Sequence, residues 1–535
     1  MDIEKVLIMK DGQGSSYARV LPLDHFDQGV EIYNGPNTEY VGKDERKHAN
    51  IAANVHGMVS ALKRYEDVRD IVVSAGTVRG ATFDMVDEHE MPGPYDAQTN
   101  VHEMGREVYE AVDAMMPPEK RFVEYGLPNI AGSLEPFRSI AGWAIEQPEL
   151  LKQARRIRGL DQLFIGPMVG DYQGMPDEPG ISAGYAGCHG GLKRMRGFSE
   201  ELLEFSELAW MLHDLVRERT GRTLIGDLIP QRIYTPTEYV HFSPDKTITD
   251  YTGLRTDTNM LPLDHDTTSE VDPIRALADL EFSPEQTVVV EILGSWYMFR
   301  VASGCDSTAE PFEMSVFGKG FMGQGDLYGR FVPTTLTASG EEFDHVKVYL
   351  KAKGLEPPEI DEMYFDAVAK VIRDGKMFAI QGWGDRAKFA SQFPGSVARY
   401  IDPDNEMLSD PKTAYAVANL MTAYPMTWIA PRLGVGDDVP HIISGGSAGR
   451  GGIVEILASS VPNPVYVIVD SKGNIVRDVG LLSSWMRARG HVDRCAPEEV
   501  DISGTGMRLQ LVEKRFDSSE TRAYMEQAWD HATVH

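Results

Sequence analysis

Acidic and histidine side chains occur at several places in the chain where a divalent metal could bind. Glu291 follows three consecutive valines, and a carboxylate buried in such a strand needs a charged partner or a metal. Asp264, His265 and Asp266 are adjacent, so in an extended segment the two aspartates share one face and His265 takes the other. Oxygen-rich ligand sets with an occasional histidine suit Mn²⁺ or Mg²⁺ better than Zn²⁺. We therefore expect a divalent metal cofactor, Mn²⁺ first, with Mg²⁺ and Zn²⁺ as alternatives.

Two aspartates in glycine-rich turns beyond Glu291 are candidates for a second carboxylate ligand. Asp306 lies in the sequence SGCDS and Asp326 in GQGD, and the residues leave the choice between them open. An aspartate in such a turn often bonds only to its own backbone, and His265 could equally be a structural histidine. The predicted metal ligands are Glu291, Asp306, Asp326 and His265. A metal held there would polarise a carbonyl group, while Glu291 or Asp326 moves the proton.

A glycine-rich stretch in the last quarter of the chain could bind an anion. Residues 444–452 read SGGSAGRGG, and backbone N–H groups in such a loop can surround an oxyanion. Arg450 lies between two glycines, so we assign it a catalytic contact to an anionic intermediate; the alternative is a flexible loop after a buried strand. Residues 424–433 contain two prolines, which we expect to prevent a regular helix. Trp428 and Arg432 of this segment could form the wall of the same substrate pocket.

A second polar loop lies nearer the middle of the chain. Residues 188–194 read CHGGLKR, which is typical either of a substrate-binding loop or of a solvated turn between domains. We retain His189 as a substrate-binding candidate.

Two short segments resemble the L-fucose isomerase family. Residues 424–433 (YPMTWIAPRL) are similar to that family's Trp-Pro-Thr-Thr-Trp-Phe-Ala-Pro-Arg-Leu segment, and residues 378–383 (FAIQGW) to its Gln-Ile-Ala-Glu-Gly-Trp segment. The resemblance implies two α/β layers followed by a barrel-like domain, a sugar isomerase activity, and Trp383 in the substrate pocket. It also makes Glu291 the nearest match to a metal-binding glutamate of the family.

Arg450 departs from the family's pattern. In an alignment without gaps, the histidine that ligates the metal in that family falls on Arg450, and an arginine cannot be a metal ligand at ordinary pH. An arginine could instead hold an enolate or a carboxylate product, which favours a hydrolase. We therefore predict a metal-dependent enzyme acting on a small polyhydroxylated or keto substrate through an enediolate or enolate, as sugar isomerases do. Two alternatives stay open: a cyclohydrolase that opens a cyclic ketone, and a non-catalytic carbohydrate-binding protein.

The order of apolar runs and helical patterns predicts three regions. Residues 1–160 and 161–335 alternate short apolar runs with helical spacing, which is typical of sheets covered by helices. Residues 336–535 contain more turns and short alternating segments, including an expected hairpin around residues 472–474. The sequence thus predicts an α/β fold, with two Rossmann-like α/β domains followed by a β-rich, barrel-like C-terminal domain. The second domain would carry the metal ligands, and the third the glycine-rich loop.

The spacing of apolar residues also predicts individual elements in these regions. Helices are expected at residues 48–65, 101–116, 201–219 and 359–373, and strands at residues 6–9, 70–76, 223–227 and 287–292.

Composition and missing motifs exclude several classes of protein. The 535 residues carry a net charge of −29, so the chain lacks the positive surface that nucleic acids and anionic membranes need. No apolar run is long enough to span a bilayer, and the P-loop, zincin and serine-hydrolase motifs do not occur. Three separated cysteines make no disulfide framework. We expect a cytoplasmic homo-oligomer without a signal peptide, whose partner is a small-molecule substrate.

Overall fold

The structure is a computed structural model, and it describes residues 4–11, 15–36, 39–41, 47–49, 51–63, 65, 71–77, 83–86, 105–127, 136–159, 168–169, 180–183, 186, 204–235, 242–262, 266–294, 296–302, 321–325, 331–338, 347–348, 350–375, 410–450 and 452–534. The strands up to residue 262 are β1 (Lys5–Asp11), β2 (Ser15–Pro22), β3 (Val30–Pro36), β4 (Glu39–Val41), β5 (Lys47–Ala49), β6 (Ile71–Thr77), β7 (Phe83–Val86), β8 (Arg156–Gly159), β9 (Ile181–Ser182), β10 (Ile233–Tyr234) and β11 (Met260–Pro262). The helices up to residue 279 are α1 (Ile51–Leu62), α2 (Arg106–Met115), α3 (Pro118–Tyr125), α4 (Pro136–Glu146), α5 (Pro148–Gln153), α6 (Glu207–Thr220), α7 (Lys246–Thr252) and α8 (Asp266–Asp279). The later elements are β12 (Val288–Leu293), β13 (Trp296–Ala302), β14 (Phe321–Gly325), β15 (Phe331–Ala338), α9 (Glu362–Asp374), α10 (Pro411–Arg432), β16 (His441–Ser444), α11 (Ile453–Ser460), β17 (Val465–Val469), α12 (Gly480–Asp493), β18 (Arg508–Leu511) and α13 (Ser518–Val534).

The first sheet has the strand order β11–β6–β1–β2–β3. β2 is antiparallel to both β1 and β3, whereas β6 and β11 are parallel to β1. β1 is apolar on both faces because both faces are covered: Val6 and Ile8 lie in one hydrophobic cluster, and Leu7 and Met9 lie in another. Since β1, β6 and β11 are parallel, their carboxyl ends lie along one edge of the sheet.

The second sheet repeats this arrangement, in the order β14–β15–β13–β12–β16–β17–β18. β12, β13 and β15 form an antiparallel run, and β16 and β17 follow parallel to β12. β12 is fully buried, with Val288 and Val290 in one hydrophobic cluster and Val289 and Leu293 in the other. This sheet unites strands from both sides of residue 335.

Two helices lie between the sheets. α8 contributes Ile274 and Leu277, and α12 contributes Leu482 and Met486, to a cluster that also contains side chains of β1 and β12. α1 covers the outer face of the first sheet, and α9, α10, α11 and α13 cover the outer face of the second. The layers therefore alternate helix, sheet, helix, sheet and helix, with α12 next to the first sheet.

A helical unit with its own core lies in the chain between β6 and β11. Helices α2, α4 and α6 pack around the buried Trp143 together with the β7–β8 pair. The hydroxyl of Ser206 caps α6 by accepting from the backbone N–H of Ala209 at 3.0 Å, and Gly221 ends this helix with a φ of 75°, as is usual at helix ends.

Most individual elements agree with the sequence, and the predictions for residues 223–227 and 424–433 do not. The helices predicted at residues 48–65, 101–116, 201–219 and 359–373 are found with shorter bounds as α1, α2, α6 and α9, and residues 48 and 49 belong to β5 instead. The strands predicted at residues 6–9, 70–76 and 287–292 are confirmed as β1, β6 and β12. The strand predicted at residues 223–227 is wrong, because this segment forms a turn closed by a bridge between Ile225 and Ile229. The hairpin after β17 is confirmed by the bridge between Val469 and Ile475.

The mixed α/β class is confirmed, but the Rossmann-like and barrel-like descriptions are wrong. Each sheet has an antiparallel half, because the short connections between β1 and β2 and between β12 and β13 leave no room for the crossover that parallel neighbours need. The last third carries α9 to α13 around strands of an open sheet, and no sheet closes into a barrel in the described residues.

The prolines at residues 424–433 do not prevent a helix, because almost all of this segment belongs to α10. An interior proline costs about 3 kcal/mol. The helix buries Val417, Leu420, Met426 and Ile429 completely, and each such side chain contributes about 1.5–3 kcal/mol. Packing therefore outweighs the local penalty. None of the described helices combines the length and the apolar character that a membrane span requires.

Candidate functional site

Two turns meet at the carboxyl edge of the second sheet. β12 ends at Leu293 and its parallel neighbour β16 ends at Ser444. The backbone N–H of Ser447 donates to the carbonyl oxygen of Leu293 at 2.8 Å, and the Ser447 hydroxyl donates to the carbonyl oxygen of Gly294 at 3.4 Å. The two turns are therefore fixed to each other by hydrogen bonds.

Gly445 permits this close approach of backbone to backbone. Its φ is 105°, which side chains disfavour. A Cβ on Gly445 would lie 2.6 Å from the carbonyl oxygen of Leu293 and 2.7 Å from its backbone nitrogen. Only glycine fits here without moving the end of β12.

The rest of this turn leads directly into α11. The backbone N–H of Ala448 donates to the carbonyl of Gly445 at 3.0 Å, and that of Arg450 donates to Ser447 at 2.9 Å. Gly446 is exposed, and a Cβ there would meet no atom within 4 Å. A strand, a glycine-rich turn and a helix in this order form an arrangement that binds phosphate groups in many proteins.

The guanidinium group of Arg477 lies across the same turn. Its Nε and one terminal nitrogen are 3.0 and 3.1 Å from the position that a Cβ of Gly449 would take. Arg477 and Arg450 are both exposed, so two positive charges border the turn. In a chain with a net charge of −29, guanidinium groups at this turn are the kind of group that an anionic ligand would need.

Asp478, the neighbour of Arg477, joins this region to the first sheet. The Nζ of Lys10 donates to Oδ1 of Asp478 at 2.9 Å, and the hydroxyl of Tyr17 donates to Oδ2. Lys10 lies near the carboxyl end of β1 and is 2% exposed. A Cβ on Gly480 would overlap the Lys10 ammonium group, so a larger residue there would displace the end of the Lys10 side chain. The carboxyl edge of the first sheet thus contacts the segment that carries Arg477.

The groups in this junction shift one another's pKa. Burial raises the pKa of the Asp478 carboxyl, but the charge of Lys10 and the hydrogen bonds from Tyr17 and Lys10 outweigh burial and hold that pKa below its ordinary value. Burial first, and then the charge of Asp478, raise the pKa of the Tyr17 phenol well above its ordinary value. At neutral pH Asp478 is therefore a carboxylate and Tyr17 is neutral.

A buried carboxylate–histidine pair links the two strands that carry the turns. Glu291 of β12 and His441 of β16 are both 0% exposed, and Nδ1 of His441 lies 2.5 Å from Oε1 of Glu291. The ring of Phe299 meets the His441 ring edge-on, with 5.6 Å between centroids. The buried Glu291, which the sequence indicates needs a partner or a metal, thus contacts His441. Its catalytic and metal-binding roles stay predictions.

Three other predicted site residues lie in the described part of the chain. Arg450 is exposed in the glycine-rich turn, after the carboxyl end of β16. Arg432 is the exposed last residue of α10, before the amino end of β16, and burial lowers the pKa of its guanidinium. Trp428 belongs to α10 as well. Their assignment to one substrate pocket stays a prediction.

The remaining predicted site residues, Asp306, Asp326, His265, Trp383 and His189, lie outside the described residues. Within the described ranges, no group of three or more histidine, cysteine or acidic side chains could hold a metal. The predicted roles of Asp306, Asp326 and His265 as metal ligands, of Asp326 in catalysis, and of Trp383 and His189 in substrate binding stay predictions.

Sequence reasoning missed the residues that surround the turn. Lys10 had a usable signal, because a charged residue within a buried strand needs a partner just as Glu291 does. No local sequence pattern identifies Arg477, Asp478 or His441. The residues they lie beside are distant in the chain: Gly449 for Arg477, Lys10 for Asp478 and Glu291 for His441.

The complete fold matches solved structures of sugar kinases. A carbohydrate kinase from Novosphingobium aromaticivorans is 16% identical with a TM-score of 0.66, and the match covers 100% of this chain and 99% of that one. A ligand-bound xylulose kinase from Lactobacillus acidophilus is 12% identical with a TM-score of 0.66, covering 99% and 96%. A Plasmodium falciparum glycerol kinase with ADP is 11% identical with a TM-score of 0.64, covering 99% and 97%. No family model and no curated protein matches the sequence.

These similarities overturn the resemblance to L-fucose isomerases. One of its two segments is part of a buried helix, and the other lies outside the described residues. A similarity over the whole chain outweighs two short segments of proline and aromatic residues. The expected isomerase or hydrolase activity through an enediolate or enolate is therefore wrong, since the structural neighbours are kinases. The chain has, over its full length, the mixed α/β fold of these sugar kinases.

Proposed function

We propose that this protein is a carbohydrate kinase, which transfers the terminal phosphoryl group of ATP to a hydroxyl group of a small sugar or polyol. The observation that carries the proposal is the correspondence of the whole chain with a carbohydrate kinase, a xylulose kinase and a glycerol kinase. The substrates in these names are small and polyhydroxylated, as the sequence predicts for this chain.

The glycine-rich turn after β16 supports the proposal by offering a place for the phosphates of the nucleotide. Ligands of open α/β sheets bind outside the carboxyl ends of parallel strands, and this turn lies at such an edge. The exposed backbone at Gly446 leaves space for a phosphate group, and Arg450 and Arg477 supply positive charge. Phosphoryl transfer depends mainly on positioning and on stabilising charge in this way.

A carboxylate is needed to accept the proton of the attacking hydroxyl group. Asp266 is the first residue of α8, which follows the carboxyl end of β11 at the edge of the first sheet. It belongs to the acidic cluster that the sequence singles out at residues 264–266. We assign the general base to Asp266.

A divalent cation bound with ATP would neutralise charge on the phosphates. Mg²⁺ keeps several waters and phosphate oxygens as ligands and takes only one or two protein carboxylates. Asp11, at the carboxyl end of β1, is an oxygen donor of the required type and is the residue that would hold it. Mg²⁺ takes the place of Mn²⁺ in this proposal. Homo-oligomerisation and a cytoplasmic location stay predictions.

The test measures ADP release by the purified protein with Mg²⁺ and ATP against a panel of pentoses, hexoses, sugar acids and polyols. We expect at least one of them to stimulate ADP release. Asp266→Asn should lower the sugar-dependent kcat by about a hundredfold to ten-thousandfold, the usual contribution of a general base, while ATP still binds. Asp250→Asn changes an exposed aspartate of α7 and serves as the matched control.

Three results would argue against the proposal. If no member of the panel stimulates ADP release, the kinase assignment fails. Sugar binding without ADP release would favour the non-catalytic carbohydrate-binding alternative. Full activity of Asp266→Asn would remove only the assignment of the base.

A further inference from the structure

Arg477 places its guanidinium group beside the glycine-rich turn. Its guanidinium group lies against the backbone of Gly449, with Nε 3.0 Å and the central carbon 3.3 Å from where a Cβ would be. Within the described residues Arg477 has no hydrogen bond or ion pair, and it is exposed. Its charge is therefore available to an anionic ligand at the turn.

The segment around Arg477 is held at both ends. On the amino side, the backbone N–H of Val476 donates to the carbonyl of Ile468 at 2.8 Å. On the carboxyl side, the Asp478 carboxylate accepts hydrogen bonds from Lys10 and Tyr17 of the first sheet. The backbone of Arg477 is therefore fixed between the two sheets while its side chain stays available at the turn.

We propose that Arg477 binds the polyphosphate of the nucleotide and so makes the site select nucleoside di- and triphosphates over the nucleoside. This inference rests on the proposed kinase function. A planar guanidinium matches phosphate oxygens with two parallel hydrogen bonds. The chain has a net charge of −29, so a polyanion needs a local group of this kind to offset long-range repulsion.

Gly449 has a defined part in this arrangement. The nearest atoms to its missing Cβ all belong to Arg477, and its φ lies outside the left-handed region. A methyl group there would push the flexible guanidinium away without straining the backbone. Gly449→Ala should therefore copy the binding defect of Arg477→Ala while leaving the protein folded.

The experiment measures the Kd of ATP, ADP and adenosine by titration calorimetry at two salt concentrations. Arg477→Ala should weaken ATP and ADP binding by about tenfold to a hundredfold, the range for one charge-assisted contact, and leave adenosine binding unchanged. The salt dependence of ATP binding should also become shallower in the variant. Arg477→Lys should recover part of the affinity, since it keeps the charge and loses the planar fork.

A double variant separates a direct contact from an indirect effect. If Gly449→Ala acts only by displacing Arg477, adding it to Arg477→Ala should produce no further loss. The controls are Arg219→Ala, an exposed arginine of α6, and Gly504→Ala, at a turn where a Cβ meets no atom within 4 Å. Neither control should change the Kd of any nucleotide.

The outcomes distinguish this inference from the kinase assignment. A wild-type protein that binds none of the nucleotides overturns both. A wild-type protein that binds ATP, with unchanged ATP affinity in Arg477→Ala, overturns only the role of Arg477. An equal loss of ATP and adenosine affinity in folded Arg477→Ala also overturns it, because a phosphate contact cannot affect adenosine.

Discussion

Separating Glu291 from His441 should destabilise the protein far more than an ordinary core substitution. Both side chains are 0% exposed and are joined by a 2.5 Å contact between Oε1 and Nδ1. Removing one member of a buried pair of ionisable side chains typically costs about 3–5 kcal/mol, because the remaining group loses a contact in an interior that water does not reach. We expect a loss of this size in the free energy of unfolding for His441→Leu.

Glu291→Leu and His441→Leu should each lower the free energy of unfolding, because each leaves one polar side chain that has lost this contact in the interior. The double variant, Glu291→Leu with His441→Leu, removes both polar groups and should be less destabilised than the sum of the single variants by about 2 kcal/mol or more.

The assay is urea unfolding followed by tryptophan fluorescence and circular dichroism, with the midpoint and the slope compared for each variant. Ile443→Val, on the same face of β16, is the control for a general core change and should cost about 0.5–1.5 kcal/mol. The reasoning is refuted if both single variants lose no more than this control, or if their losses simply add in the double variant.

Two further predictions follow from the junction and the turns. Gly445→Ala should lower the free energy of unfolding by about 2–5 kcal/mol, because it combines an unfavourable φ with overlap against the backbone of Leu293. Thermal unfolding checks this prediction. Gly504→Ala is the control and should leave the stability nearly unchanged. The pKa of Asp478 is lowered in the folded state, so its contribution to stability is present above its ordinary pKa near 4 and is lost as the pH falls through the lowered value. Asp478→Asn should have a lower free energy of unfolding than the wild type at pH 7. That free energy should fall less in the variant than in the wild type when the pH is lowered below about pH 4. An equal fall in both proteins, measured by urea unfolding at each pH, would contradict the role of Lys10 in lowering the pKa of Asp478.

The sequence predicts elements well where both faces of a strand are buried or one face of a helix is regular. β1 and β12 appear as uninterrupted apolar runs because each lies between two hydrophobic clusters. The prolines at residues 424–433 mislead because local propensity competes with the burial of a 22-residue helix, which no short segment reveals. The pairing of β12 with β16 also has no local signal, and without it the last third seems to be a separate β domain.

The candidate site also has parts that the sequence predicts and parts that it does not. Glu291 and the glycine-rich turn are visible in the sequence, because a carboxylate in an apolar strand and a cluster of glycines are locally unusual. The structural role of Glu291 and of the turn depends on residues that are distant in the chain. These are His441 for Glu291, and Leu293 and Arg477 for the turn. Two short segments therefore suggested an isomerase, whereas the fold of the whole chain corresponds to that of carbohydrate kinases.

The position of α12 has a consequence for how the chain is made. The inner face of the first sheet is covered by this late helix, and the indole N–H of Trp485 donates to the carbonyl of Pro22 at 3.2 Å. Roughly 230 residues separate the end of β11, which completes the first sheet, from the end of α12, and their synthesis takes about 10–50 seconds at the usual rate of translation. During that interval Val6 and Ile8 of a nascent chain lack part of their cover. The first sheet therefore cannot complete the cover of its inner face until residues 480–493 have been synthesised.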